Sequence, residues 1–197
     1  MDRLAKLLQL HRGDPSPTLE FRPPIARLID ADHCMMLTEE LREHGTPWTI
    51  KKATPTLWQQ LPEAPGLYMF VWRPTFKVDL AAPNCDQGQT FAWVLYVGRT
   101  GADQSGNRLR SRYKGGYAKY LDGDPAGLWE TDQPISREAR LCRYLLLQPL
   151  EYWWTEIENA ERIAILERRL VTMLSPPLNK QGAALRIAGR QNAFREE

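Results

Sequence analysis

The chain has few of the residues that mark metal or redox sites. Its 197 residues include three cysteines and three histidines. The cysteines, Cys34, Cys85 and Cys142, lie far apart, form no Cys-x-x-Cys pair and have no histidine at metal spacing. We therefore expect neither a zinc site nor a disulfide framework.

Long hydrophobic runs are also missing. The N-terminal leucines are interrupted by the charged residues Asp2, Arg3 and Lys6, which is typical of an amphipathic helix and not of a signal peptide. No stretch approaches the roughly 20 apolar residues of a membrane span. The sequence therefore predicts a cytoplasmic protein.

A large excess of charge of one sign is absent as well. The formal net charge is +2, hydrophobic residues make up 43% and charged residues 25%, as in an ordinary globular protein. The length fits one main domain with extensions. Net charge alone therefore does not indicate nucleic-acid binding.

The distribution of charge is more informative. Residues 95–120 carry six basic side chains against one acid, Asp103, and tyrosines are interleaved with them. Basic and aromatic side chains together can hold phosphates and stack on bases, although a solvated basic helix has the same composition. The candidate nucleic-acid contacts are Arg99, Arg110, Lys114, Lys119 and Tyr117.

Two apolar runs, 66–72 and 91–98, are rich in β-branched and aromatic residues and predict strands. Strand alternation places Tyr68 on one face of the first strand and puts Tyr96 and Gly98 on a common face of the second. Paired strands would present both tyrosines side by side, with the glycine leaving space. Each tyrosine alone is also typical of a core position.

A later helix, about 159–174, carries an apolar stripe with Glu167 near its middle. Burying a carboxylate costs several kcal/mol unless it is paired or binds a metal. Glu167 is therefore either half of a structural ion pair with an arginine or a group that reaches a cleft. The helix ends before Ser175-Pro176-Pro177-Leu178-Asn179.

In this order the residues resemble the GIY-YIG nuclease superfamily over roughly 63–182, and the layout is closest to its restriction-endonuclease-like members. The motifs are Gly66-Leu67-Tyr68 and Tyr96-Val97-Gly98, then the helical arginine Arg108, or Arg112 if the register slips by one turn, and finally Glu167 and Asn179. The sequence departs from the family in three ways. The connection between the tyrosine motifs is long, Arg99 stands where lysine is frequent, and Arg112 stands where histidine is frequent.

The resemblance implies an α/β (α+β) fold with a small, mainly antiparallel sheet of three strands, 66–72, 91–98 and 150–157, flanked by helices. Residues 61–182 would form this domain. Residues 183–197 would be a polar tail. Residues 1–60 would be a helical accessory region that gives packing support, a homodimer arm or a specificity element; within it, Thr38 is predicted to cap a helix that ends at Gly45.

The resemblance also implies an activity: metal-dependent endonucleolytic hydrolysis of DNA phosphodiester bonds by a one-metal mechanism, with RNA not excluded as substrate. Glu167 would hold Mg²⁺ or Mn²⁺, and Tyr68 or Tyr96 would be the base. Arg108, by preference, would contact phosphate, and Asn179 would orient Glu167 or a backbone group. The alternatives are a non-catalytic nucleic-acid-binding module and a small α/β protein with only protein partners.

Overall fold

The computed structural model describes residues 24–73, 92–101, 106–121 and 150–179. Within this part the chain begins with two helices, α1 (Ile25–Leu28) and α2 (Ala31–His44). Asp30 caps α2, since its carboxylate accepts a hydrogen bond from the backbone N–H of His33 at 3.0 Å.

Gly45 ends α2 as predicted, but Thr38 does not begin it. Its hydroxyl donates to the carbonyl oxygen of Cys34, one turn earlier in the helix, at 2.8 Å. The prediction that Thr38 caps a helix was wrong because Asp30 starts the helix two turns earlier. The amphipathic helix that the N-terminal leucines predict lies outside the described residues.

The sheet has four strands in the described residues: β1 (Thr49–Lys52), β2 (Gly66–Trp72), β3 (Trp93–Thr100) and β4 (Leu150–Glu156). Their order is β1-β4-β2-β3, and every neighbouring pair is antiparallel. The α+β class and the antiparallel sheet are confirmed, whereas the prediction of three strands was wrong. The additional strand, β1, falls within the region predicted to be helical.

Helices cover both faces of the sheet. On one face α2 and α5 (Ala160–Leu174) enclose a core with the β2 residues Leu67, Met69 and Val71. On the other face lie a 3₁₀ turn (Leu57–Gln60), α3 (Leu109–Tyr113), a π turn (Lys114–Ala118) and α4 (Lys119–Leu121). They pack on the aromatic side of the sheet. The alternation predicted for β2 is thus observed.

The helical segment that begins with α3 continues past Gly115-Gly116, through the π turn, into α4. In the part of the chain that the structure describes, no helix combines the length and the apolar character needed to cross a membrane. The division into an accessory region, a main domain and a tail stays a prediction, and the tail lies outside the described residues.

Candidate active site

Two tyrosines of neighbouring strands face each other on the aromatic side of the sheet. The rings of Tyr68 on β2 and Tyr96 on β3 have centroids 6.0 Å apart. A Cβ atom on Gly98 would lie 2.5 Å from Tyr68 Oη and 2.7 Å from Tyr96 Cε1, distances that real Cβ atoms do not show. A glycine is therefore needed at this position to accommodate both rings.

An arginine and a third tyrosine complete this group. The hydroxyl oxygens of Tyr68 and Tyr117 lie 2.8 Å apart. Arg112 donates from Nε to Tyr68 Oη at 3.3 Å and from Nη2 to Tyr117 Oη at 3.4 Å. We call Tyr68, Tyr96, Arg112 and Tyr117 the hydroxyl cluster.

The π turn explains why Arg112 and Tyr117 meet. A π turn brings residues i and i+5 together, whereas an α-helix aligns i with i+3 and i+4. The side chain of Arg112 at the end of α3 thus reaches Tyr117 across the turn, with its guanidinium carbon 5.3 Å from the ring centroid. Helical periodicity gives no indication of this pair, and the five-residue spacing across Gly115-Gly116 was its only sequence signal.

Burial and the neighbouring polar groups together fix the protonation of two members of the cluster, Tyr117 and Arg112. Burial, with a further contribution from the Tyr68 oxygen, raises the pKa of Tyr117 well above its usual value, although Arg112 lowers it. Burial alone would lower the pKa of Arg112, but the neighbouring Tyr68 and Tyr117 oxygens raise it more. At neutral pH Tyr117 therefore keeps its proton and Arg112 keeps its charge.

The two arginines proposed for the helical position have different surroundings. Arg108 is the exposed N-cap residue of α3 and lines a pocket of about 570 Å³ together with four glutamates, Glu43, Glu63, Glu156 and Glu158. Arg112, one turn later, contacts the tyrosine hydroxyls. The structure thus brings Arg112 to Tyr68 and Tyr96 and leaves Arg108 in an acidic pocket.

Glu167 lies on α5, on the opposite face of the sheet, beside the edge strand β3. Its Oε2 atom is 3.3 Å from Nε of Arg99, and the two side chains are 21% and 39% exposed, respectively. Arg99 directly follows Gly98 in β3, so the carboxylate is fastened to the same edge strand that carries the motif glycine. An ion pair with an arginine is present, and it is open to solvent at the sheet edge.

Asn179 binds the backbone of the edge strand. Its side-chain oxygen accepts from Val97 N at 2.9 Å, and its amide donates to Val97 O at 2.7 Å. Leu178 adds a backbone hydrogen bond from its N–H to Leu95 O at 3.1 Å. Of the two roles that the sequence allowed, orienting Glu167 or a backbone group, these contacts correspond to the second.

Gly66 is needed where β2 meets β4. A Cβ atom there would collide with the carbonyl oxygen of Thr155, and the Gly66 N–H donates to Oγ1 of Thr100 on β3 at 3.2 Å. This motif glycine therefore joins three strands and fixes the start of the strand that carries Tyr68.

The remaining predicted nucleic-acid contacts differ in accessibility. Arg110 donates to Leu61 O at 2.7 Å and pairs with Glu63 at 3.1 Å, so it fastens the preceding loop to α3. Lys114 is exposed, with Nζ 4.2 Å from the ring centroid of Trp58. Lys119 is also exposed. Tyr117, placed among the base-stacking residues by sequence, is instead buried, so its ring offers no surface to a base.

The described residues offer few ligands for a magnesium ion. No group of three or more His, Cys, Asp and Glu side chains suited to a metal occurs in the ranges that the structure describes. Mg²⁺ usually keeps several waters and takes one or two carboxylates. A carboxylate has two oxygens with about four acceptor sites, and Arg99 contacts Oε2 of Glu167 at 3.3 Å. The residue fits a hydrated ion held by one carboxylate.

Comparison of the chain with protein-family models, with curated proteins and with solved structures gives no match.

Proposed function

We propose that this chain is a metal-dependent endonuclease of the GIY-YIG type that hydrolyses phosphodiester bonds in DNA. The observation that carries the proposal is the meeting of Tyr68, Tyr96 and Arg112 at Gly98, with the solvent-accessible Glu167 paired to the next residue, Arg99. These are the residue types that the reaction needs: the tyrosines and Arg112 meet on the aromatic side of the sheet, and Glu167, on α5 at the opposite side, pairs with Arg99 of the edge strand β3.

Hydrolysis needs a water activated by loss of a proton, and negative charge on phosphate must be balanced. We assign the base to Tyr68, because its oxygen accepts from Arg112 and lies beside Tyr117, which keeps its proton. The Tyr68 oxygen, after giving its own proton to solvent, takes the proton of the attacking water as the water oxygen bonds to phosphorus and the bond to the leaving 3′ oxygen breaks. The charge of Arg112 stabilises the tyrosine oxygen and the phosphate oxygens.

Glu167 would hold Mg²⁺ or Mn²⁺, and the ion supplies positive charge to the scissile phosphate and to the leaving 3′ oxygen. Asn179 keeps Val97 in place, and with it the flanking residues Tyr96 and Gly98. Arg99 holds one oxygen of Glu167, which orients the carboxylate.

A second candidate is a nucleic-acid-binding module without activity. The Glu167–Arg99 ion pair favours it, because an arginine already neutralises the carboxylate that a metal would need. Both candidates predict DNA binding, and only the first predicts cleavage.

The test is cleavage of labelled duplex, single-stranded and branched DNA, and of RNA, with Mg²⁺, Mn²⁺ or a chelator. Wild type should cut with either ion and not with the chelator. Arg112→Gln should lower the rate by about 100-fold, since it removes a charged donor from the reaction centre. The matched control is Arg42→Gln, an exposed arginine of α2, which should cut like wild type.

Binding without cleavage by wild type under every condition would favour the second candidate. An Arg112→Gln variant that melts normally and cuts at the wild-type rate would contradict the assignment of the hydroxyl cluster as the reaction centre.

A further inference from the structure

Two adjacent glycines, Gly115 and Gly116, lie inside a continuous helical segment, in the π turn between α3 and α4. Among the described glycines, positive φ angles occur at Gly101 and Gly106 and not at these two. Glycine inside a helix is less stable than alanine because its backbone loses more freedom on folding. The backbone conformation therefore does not explain the pair.

Steric crowding does not explain it either. A Cβ atom on Gly115 would meet nothing within 4 Å. A Cβ atom on Gly116 would meet the guanidinium of Arg112 at 3.7–3.9 Å, which is ordinary van der Waals contact. The fold would accept alanine at both positions.

The surface of Gly115 and Gly116, which carries no side chains, lies beside the hydroxyl cluster. Gly116 borders Arg112, whose guanidinium contacts the hydroxyls of Tyr68 and Tyr117. The exposed Lys114 precedes the glycines, and residues 106–121 contain no aspartate or glutamate. We call the surface formed by Lys114, Gly115 and Gly116 the patch. It is positively charged, has no side chains at its two glycines and lies next to the proposed reaction centre.

We propose that the surface of Gly115 and Gly116 is where the sugar–phosphate backbone of the substrate strand lies, next to the phosphate that is cut. The missing side chains let the strand approach the helix closely, within reach of Lys114 and Arg112. Such close approach is a common reason for glycine in a regular element. The inference rests on the proposed function for the identity of the ligand as a nucleic acid.

The test compares Gly115→Ala, Gly116→Ala and Gly116→Leu with wild type. Thermal melts come first, followed by binding of a fluorescent duplex DNA without metal at several salt concentrations, and then cleavage with Mg²⁺. Both alanine variants should raise the Tm by about 2 °C. Gly116→Leu should weaken binding about tenfold, and Gly116→Ala less.

The plot of log K against log salt should become shallower by about 0.9 for each phosphate that the variant no longer neutralises. Thr172→Ala on α5 is the matched control, since it also improves helix propensity but lies outside the patch. It should leave binding unchanged. The expected signature is a variant that is more stable than wild type and binds less DNA.

Alanine or leucine variants that melt at or above the wild-type Tm and bind with wild-type affinity would overturn the inference. So would alanine variants with a lowered Tm, because the glycines would then serve the fold. If wild type binds DNA but does not cut it, the nuclease proposal fails while this binding comparison still decides the inference. If wild type binds no DNA or RNA, both fail.

Discussion

The buried hydroxyl of Tyr152 lowers the stability of the folded protein. Its ring on β4 stacks on Tyr68 with centroids 5.4 Å apart and is completely buried. Its hydroxyl lies in the interior and has no hydrogen-bond partner in the described part of the chain. A buried hydroxyl without a partner costs free energy, because the water it bonded in the unfolded chain is not replaced.

Tyr152→Phe should therefore stabilise the protein, by about 1 kcal/mol, while keeping the ring contacts that support Tyr68. Urea unfolding of the variant and wild type measures this directly. Tyr152→Ala is the comparison, and it should cost about 3 kcal/mol because it removes the ring from the core. A Tyr152→Phe variant less stable than wild type would mean that the hydroxyl has a partner.

At the scale of elements, the sequence predicts those that carry their own hydrophobic pattern. The bounds of β2 agree with its apolar run, and α5 agrees with its stripe, begun by Asn159, whose side chain accepts from the N–H groups of Glu161 and Arg162. By contrast, β1 consists of Thr49, Ile50, Lys51 and Lys52, all exposed, and it forms only by pairing with β4. Local pattern cannot reveal such a strand.

Irregularities within strands and helices are the other reason why a prediction from sequence periodicity fails. Strict alternation puts Val94 on the same face as Tyr96, yet Val94 packs on the opposite face, with α5. A register shift opposite Phe70 and Val71 reverses the alternation there. The π turn likewise brings Tyr117 inward, where periodicity at 3.6 residues gave no reason to expect it.

In the candidate site, too, the sequence pattern predicts some contacts and leaves others undecided. Alternation predicted the meeting of Tyr68, Tyr96 and Gly98, because it depends only on two well-patterned strands. The choice between Arg108 and Arg112 depended on where α3 begins, and two residues one turn apart satisfy the same pattern. Only the N-cap position of Arg108 decides which of them reaches the tyrosines.

At the scale of the whole molecule, the core contains several tyrosines that resist ionisation. Burial raises the pKa of Tyr113, Tyr117 and Tyr152 above the ordinary value. The folded protein thus holds these protons more tightly than the unfolded chain does. Stability from this source is fully present below about pH 10, the pKa of tyrosine in the unfolded chain, and is lost as the pH rises above it.

We therefore predict a nearly constant Tm between about pH 7 and 9 and a steep fall above about pH 10. Circular dichroism melts across this range measure it, and ultraviolet absorbance of tyrosinate should appear together with unfolding. The fall should be shallower in Tyr152→Phe, which has one such group fewer. Tyrosinate absorbance of all the tyrosines near pH 10 in a protein that is still folded would contradict the prediction.

We propose that Glu167 serves the reaction and is not merely half of a structural ion pair. Its pair with Arg99 is partly exposed, and such pairs contribute about 1 kcal/mol or less to stability. A neutral amide is a poor ligand for Mg²⁺, which prefers carboxylate oxygens. Replacing Glu167 with glutamine should therefore remove function and leave the fold intact.

The most direct measurement is the initial rate of Mg²⁺-dependent cleavage by Glu167→Gln relative to wild type, at a temperature where melts show both proteins folded. We expect a loss of at least about 100-fold, with DNA binding retained or tightened because a negative charge near phosphate is gone. A folded Glu167→Gln variant that cuts at the wild-type rate would mean that Glu167 holds no metal that cleavage needs.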